Sequence, residues 1–182
     1  AGDQTDAQVA TLNSSNFVTA FVTNAAGNQD IGFAIRQSDG TLVTAGTVEA
    51  DIAAESDPSI AVLAGGGFVV TWQSNGQNGA GSSGIYGQRY GSDGNPQGTE
   101  FQISDIAGIA PSQSSVTALP NNGFVATWQS YNALTDDFDI YTQIYDATGV
   151  KQGTEFNITN SVAKAQELPT ITALSNGFVV TW

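Results

Sequence analysis

Cysteine, histidine and methionine are all missing from the 182 residues of this chain. Without cysteine there is no disulfide framework, no thiolate metal site and no cysteine nucleophile. Without histidine, the commonest general base and Ser-His-Asp catalysis are excluded too. Because not even an initiator methionine is present, we expect a processed or excised piece of a longer protein.

Positive charge is scarce. Four cationic residues stand against 17 acidic ones, so the net charge is −13 and the pI about 4.1. The cations are Arg36, Arg89, Lys151 and Lys164, and they are scattered along the chain. Phosphate backbones are bound by clustered cations, so nucleic acid is not expected as a partner. The apolar runs are far shorter than the roughly 20 residues of a membrane helix, so membrane insertion is not expected either.

What the chain does contain is a repeated motif. Gly67–Trp72 reads Gly-Phe-Val-Val-Thr-Trp and returns at Gly123–Trp128 and Gly177–Trp182, with a divergent copy at Asn16–Phe21. The phenylalanines of these copies stand at 17, 68, 124 and 178. A period of this size indicates one supersecondary unit copied along the chain, which buries its apolar surface only against its neighbours.

Each unit divides into four short strands separated by turn signals. In the second unit the predicted strands are 59–63, 68–73, 85–90 and 99–103, with glycine-, asparagine- and serine-rich segments between them. The second strand is apolar on both faces, which is typical of a strand between two layers. The pattern therefore predicts an all-β, β-propeller-like array of four-stranded antiparallel blades. Tandem sandwiches or a β-solenoid fit a 50-residue unit less well.

The repeats divide the chain into three full units at 1–56, 57–106 and 107–163 and a half unit at 164–182. About three and a half blades cannot close a ring of four to eight. We therefore expect association with copies of the same chain or with the rest of a larger one.

The unit resembles repeats of large RTX-like adhesins, which Gram-negative bacteria secrete through type I systems. The matching segments in the second unit are Gly67–Ser74, Gly84–Tyr90 and Gly98–Phe101. The resemblance implies a location outside the cell or on its surface, and a role as scaffold within a much larger chain. The nonapeptide Gly-Gly-x-Gly-x-Asp calcium repeat of that class is absent, so its calcium site cannot be carried over.

One acidic cluster is a candidate metal site. Asp136, Asp137 and Asp139 lie in the loop between the second and third strands of the third unit, and Asp30 occupies the matching place in the first. Hard oxygen ligands at this spacing suit Ca²⁺. The alternative is a solvated acidic loop. No other cofactor is predicted.

Other acidic and aromatic residues recur once per unit, as a scaffold does. Glu100 and Glu155 both stand in Gly-Thr-Glu-Phe, so we expect them to make turn or edge hydrogen bonds rather than to form the carboxylate pair of a glycosidase. Trp72, Trp128 and Trp182 are expected to fill the space between blades, with sugar stacking as the alternative. No catalytic residue is predicted.

These observations favour a non-enzymatic extracellular scaffold that mediates surface assembly or adhesion by self-association and multivalent display. The first alternative is a lectin-like propeller that binds carbohydrate, with surface glycans as partners. The second is a fragment of a larger secreted enzyme whose catalytic residues lie elsewhere.

Overall fold

The computed structural model describes residues 3–24, 27–48, 53–77, 79, 81–105, 109–133, 136–159 and 165–182, and its regular elements are all β-strands. They form three four-stranded antiparallel sheets and a final two-stranded hairpin, each with its strands in sequence order. Blade 1 consists of β1 (Gln4–Thr11), β2 (Asn16–Thr23), β3 (Asp30–Gln37) and β4 (Leu42–Thr47). Blade 2 consists of β5 (Ala54–Val62), β6 (Phe68–Asn75), β7 (Ser83–Tyr90) and β8 (Phe101–Gln102). Blade 3 consists of β9 (Ile109–Ala118), β10 (Phe124–Asn132), β11 (Asp137–Tyr145) and β12 (Lys151–Asn157), and half-blade 4 of β13 (Thr170–Leu174) and β14 (Gly177–Thr181). The predicted fold class is confirmed.

The turn between the first and second strands sets the same register in each full blade. A leucine N–H donates to the carbonyl four residues on, from Leu12 to Asn16 at 2.9 Å, and from Leu63 to Gly67 and Leu119 to Gly123 at 2.8 Å. The phenylalanine that follows each acceptor therefore starts its second strand in an equivalent place. This confirms the equivalence that the sequence repeat predicts.

The blades bury their apolar surface against one another, as predicted. The first interface joins one face of blade 1 to one face of blade 2. Blade 1 contributes residues of β2 and β3, and β6 of blade 2 contributes Phe68, Val70 and Trp72. Phe33 of blade 1 contacts Phe68 edge-on, with ring centroids 5.5 Å apart. The second interface uses the opposite face of blade 2, including Val69 and Ile85, against the Phe124 face of blade 3. Strand β6 of blade 2 thus lies between two apolar layers.

Two of the three repeated tryptophans are core residues. Trp72 and Trp128 have no exposed surface, whereas Trp182 is 54% exposed. Residues of the same type and motif position thus occur in a buried and in an open setting, which provides matched controls for the predictions below.

The fourth strand of blade 2 is shorter than predicted. It spans only Phe101–Gln102 instead of 99–103, whereas β12 of blade 3 is a full strand. Lys151 pairs with Tyr145 at the start of β12, but its counterpart Pro96 forms only an isolated bridge to Tyr90. Proline has no N–H to donate to a ladder, so the strand does not begin there.

The first strand of blade 2 also begins earlier than predicted. β5 starts at Ala54 rather than at residue 59, before the expected unit boundary at 57. The described residues include no helix long and apolar enough to cross a membrane.

Candidate functional site

The first strand of each full blade is interrupted at the same place. The β1–β2 register shifts between Thr5 and Gln8, the β5–β6 register between Ser56 and Ser59, and a matching irregularity occurs on β9. At each of these three interruptions a non-glycine residue has positive φ: 51° at Asp6, 51° at Asp57 and 55° at Gln113. Leu168, at the equivalent position just before β13 of half-blade 4, has φ 58°. Each of the four residues stands six positions before the leucine that opens the following turn. Left-handed backbone is costly for such residues and clusters at functional sites, and bulges re-aim side chains.

Side-chain hydroxyls join consecutive first strands. Ser59 Oγ of β5 accepts a hydrogen bond from the N–H of Val116 at 3.2 Å, and Ser115 Oγ of β9 accepts one from the N–H of Ile171 at 3.3 Å. These bonds hold β5, β9 and β13 side by side at equivalent positions.

The interruptions surround one cavity of about 310 Å³, which we call the axial cavity. Its lining consists of Asp6, Ala7, Gln8, Asp57, Pro58, Gln113, Ser114, Leu168, Pro169 and Thr170. All four units therefore contribute to this cavity through equivalent segments.

Two carboxylates line the axial cavity. Asp6 is exposed and Asp57 is partly buried, and each accepts a long hydrogen bond from the preceding hydroxyl residue, Thr5 at 3.4 Å and Ser56 at 3.3 Å. The same backbone position carries an amide at Gln113 and an alkyl group at Leu168. Because the backbone repeats while the side chain changes, the scaffold alone does not require these residue types. The arrangement offers oxygen acceptors and an amide to the hydroxyl groups of a ligand.

Sequence analysis missed Asp6 and Asp57. The available signal was their constant distance from Leu12 and Leu63, together with the recurrence of a hydroxyl residue before each aspartate. That signal does not reveal the positive φ, because glycine is the residue normally expected there and asparagine or aspartate only occasionally adopts it.

The structure places the four predicted calcium ligands in separate local networks. Asp136 accepts from the hydroxyl of Tyr131 at 2.7 Å, and this bond raises the pKa of Tyr131. Asp139 accepts from Thr159 Oγ1 at 3.1 Å, and Asp137 accepts from the N–H of Phe138 at 2.9 Å. The fourth residue, Asp30, is buried in blade 1 and accepts from Asn28 Nδ2 at 2.8 Å. Among the described residues, no three acidic side chains are grouped as a metal site. Calcium binding stays a prediction.

The repeated glutamates make the edge hydrogen bonds that we expected. Glu155 accepts from the N–H of Asp105 at 2.8 Å and so ties blade 3 to the end of blade 2. Glu100 bonds to the side-chain amide of Gln77.

Three hairpin aspartates make turn hydrogen bonds of one kind. Asp39 accepts from the N–H of Thr41 at 2.8 Å, Asp93 from that of Asn95 at 3.0 Å, and Asp146 from those of Thr148 and Val150 at 2.8 and 3.0 Å. The bond from the Thr41 N–H is the main cause that lowers the pKa of Asp39, and the bond from the Asn95 N–H does the same for Asp93. For Asp146 the hydroxyl bond from Thr148 is the largest cause of the lowered pKa.

These lowered pKa values predict a specific loss of stability in acid. A carboxyl whose folded pKa is depressed contributes stability above its unfolded pKa, here 3.8, and that contribution is lost as pH falls through the folded pKa. We expect the triple variant D39N/D93N/D146N to lose less melting temperature than the parent between about pH 5 and about pH 3, since asparagine keeps the turn acceptor without titrating. Thermal melts followed by circular dichroism measure this difference. Parallel curves for the two proteins would contradict the prediction.

Comparison with known proteins supports the fold independently. No family model and no curated protein matches the chain. Among solved structures, an endo-arabinase from Bacteroides thetaiotaomicron matches 99% of this chain and 75% of its own, with a TM-score of 0.64 and 12% identity. A Hadza microbial sialidase matches 81% of this chain, with a TM-score of 0.65 and 13% identity. An α-L-arabinanase from Penicillium chrysogenum, complexed with arabinobiose, matches 91% of this chain, with a TM-score of 0.64 and 16% identity.

The matched part is only a portion of these proteins, 36% of the sialidase and 53% of the arabinanase. The expectation of a non-enzymatic chain is wrong in the light of these matches, because the arrangement of blades recurs in glycoside hydrolases. That expectation relied on the repeated glutamates and on the missing histidine, and neither bears on Asp6 and Asp57. At these identities the likeness establishes the fold, and this chain is a series of β-propeller blades.

Proposed function

We propose that this chain forms part of a carbohydrate-binding β-propeller of the glycoside-hydrolase type, with the sugar in the axial cavity. The observation that carries the proposal is the convergence of four equivalent positive-φ segments on one cavity that displays Asp6, Asp57 and Gln113. Carboxylate and amide groups are suited to the paired hydroxyls of a sugar ring. The cavity volume of about 310 Å³ is at the lower end of the range for small-ligand sites.

Glycoside hydrolysis is the second candidate activity. The observation that favours it is the presence of two carboxylates in the same cavity, since most glycosidases use a pair of acidic residues flanking the scissile bond. In this arrangement Asp6, which is exposed, and Asp57, which is partly buried, are in different surroundings, as two carboxylates with different roles need to be.

The test is a binding titration of the whole chain with arabino- and xylo-oligosaccharides. We expect binding to the parent and at least about a tenfold loss in D6N and in D57N, because a hydrogen bond to a charged group contributes about 1.5–3 kcal/mol. D39N removes the same charge from a hairpin outside the cavity and should bind as the parent does. Release of reducing sugar by the parent, abolished in D57N, would identify hydrolysis.

Two outcomes would reject the axial site. Either no oligosaccharide binds the parent, or D6N and D57N bind with unchanged affinity. The RTX-like origin, the extracellular location, self-association and calcium remain predictions that this experiment does not address.

A further inference from the structure

A second cavity, of about 300 Å³, lies between blades 2 and 3, and we call it the inter-blade cavity. It is placed where the first strands end, whereas the axial cavity is near their beginnings, and the two share no lining residue. Blade 2 contributes the glycine turn 65–67 and Arg89, and blade 3 contributes Asn122 and Ala147. A volume of this size admits one small ligand.

Arg89 is held in a fixed position at this cavity. Its Nη1 donates to the carbonyl of Thr148 at 2.6 Å and its Nη2 to the carbonyl of Ala147 at 2.7 Å, across the interface between the blades. Its Nε is buried and has no hydrogen-bond acceptor among the described residues. Nε is covered by the protein itself, but each Nη carries a second N–H, so the guanidinium keeps donors for a ligand in the cavity.

Among the described residues the salt bridge that forms is Lys151–Asp105, so no carboxylate there is paired with Arg89. The aspartates of the two flanking hairpins, Asp93 and Asp146, accept hydrogen bonds from within their own turns. The guanidinium therefore keeps its positive charge available in a chain whose net charge is −13.

Within this chain, arginine stands where the neighbouring full blades carry isoleucine. The strand registers pair Val18 with Ile35, Val69 with Arg89 and Val125 with Ile144, so the equivalent position in the neighbouring blades is isoleucine. A corresponding cavity between blade 3 and half-blade 4 is lined by Ile144 and Phe178 instead. Isoleucine fills this position in the neighbouring blades, whereas the arginine adds two cross-blade hydrogen bonds and a positive charge beside the cavity.

We propose that the inter-blade cavity binds the carboxylate of an acidic sugar, such as a uronic acid, through the Arg89 guanidinium. Arginine and carboxylate form charge-assisted hydrogen bonds of matched planar geometry. Asn122 and Gln97, which line the same cavity, provide amide groups for the ring hydroxyls. The assignment of a sugar, rather than another carboxylate, rests on the proposed function.

Two variants test the site, so that the conclusion does not depend on whether a single variant folds correctly. R89I introduces the residue that the neighbouring blades carry. G66N leaves Arg89 untouched: Gly66 has φ +93° and a Cβ there would meet nothing within 4 Å, so the new side chain would extend into the cavity. Asparagine suits that backbone, since the equivalent residue of blade 3 is Asn122 with φ 68°. G40N is the matched control, because Gly40 also has positive φ and open space but lies in a hairpin of blade 1.

The titration uses sodium glucuronate, with glucose as the neutral counterpart, and follows binding by calorimetry and NMR. We expect glucuronate to bind at one site per chain, at least tenfold more tightly than glucose and more weakly at high salt. R89I and G66N should each lose at least tenfold in affinity, whereas G40N and D57N should bind as the parent does.

Several results would overturn the proposal: equal binding of glucose and glucuronate, no binding of glucuronate to the parent, or unchanged affinity in R89I and G66N. Loss of glucuronate binding in D57N would assign the sugar acid to the axial cavity, which also overturns it. If the proposed function fails but this proposal holds, the chain binds glucuronate as expected and does not bind neutral oligosaccharides.

Discussion

Replacing Trp72 with alanine is expected to lower the free energy of unfolding by about 3–5 kcal/mol, the range for truncating a large buried aromatic residue. Trp72 has no exposed surface and lies in the core between blades 1 and 2, where its ring stacks on Tyr86 with centroids 6.4 Å apart. Alanine would leave a cavity that rigid sheets on both sides cannot fill. Urea unfolding followed by fluorescence and circular dichroism measures the loss.

The chain supplies its own control for this substitution. Trp182 ends an identical hexapeptide but is 54% exposed, so W182A should change stability by no more than about 0.5 kcal/mol. W72F should fall between the parent and W72A, because the indole N–H of Trp72 has no partner among the described residues and phenylalanine therefore forfeits no hydrogen bond there. Equal losses in W72A and W182A would show that burial between blades is not what the motif provides.

The architecture was predictable because its cause is local and repeated. The alternation of Phe68, Val70 and Trp72 with Val69 and Thr71 indicates a strand with two packed faces, and the structure uses both. The glycine- and aspartate-rich turns locate the hairpins, and the recurring motif fixes the equivalence of Phe17, Phe68 and Phe124.

The candidate sites were not predictable in the same way, because each joins segments far apart in the chain. Asp6 and Asp57 stand about 50 residues from one another, and nothing in the local sequence indicates that they share a cavity. The irregular backbone that brings them together places aspartate where propensity favours glycine. Arg89 was interpreted as one of four scattered cations and as part of a segment that matches the resembled repeats, and no site was predicted from its difference from Ile35 and Ile144.

The repeated glutamates also misled the interpretation of activity. Glu100 and Glu155 attracted attention because they recur, and recurrence correctly indicated an edge hydrogen bond at Glu155. A site built on a repeated scaffold is instead marked by positions where the backbone repeats and the side chain does not. The series Asp6, Asp57, Gln113 and Leu168 has this property.

Replacing Gly67 with alanine is expected to destabilise the chain by about 3 kcal/mol, at the upper end of the cost of overpacking. A Cβ at this position would stand 2.2 Å from the carbonyl oxygen of Tyr90, and the same close approach recurs between Gly123 and Tyr145. The obstacle is backbone of a central strand, so no flexible side chain can move aside. For a chain of this length the expected fall in melting temperature is roughly 6–12 °C.

Gly177 provides the matched control, since it opens the identical hexapeptide and a Cβ there would meet nothing within 4 Å. G177A should therefore leave the melting temperature unchanged or raise it slightly, because alanine lowers the entropy of the unfolded chain. G123A should behave like G67A. If all three variants melt together, the glycine of the motif serves the turn alone, and the close packing of the second strand against the third is not what fixes the shape of each blade.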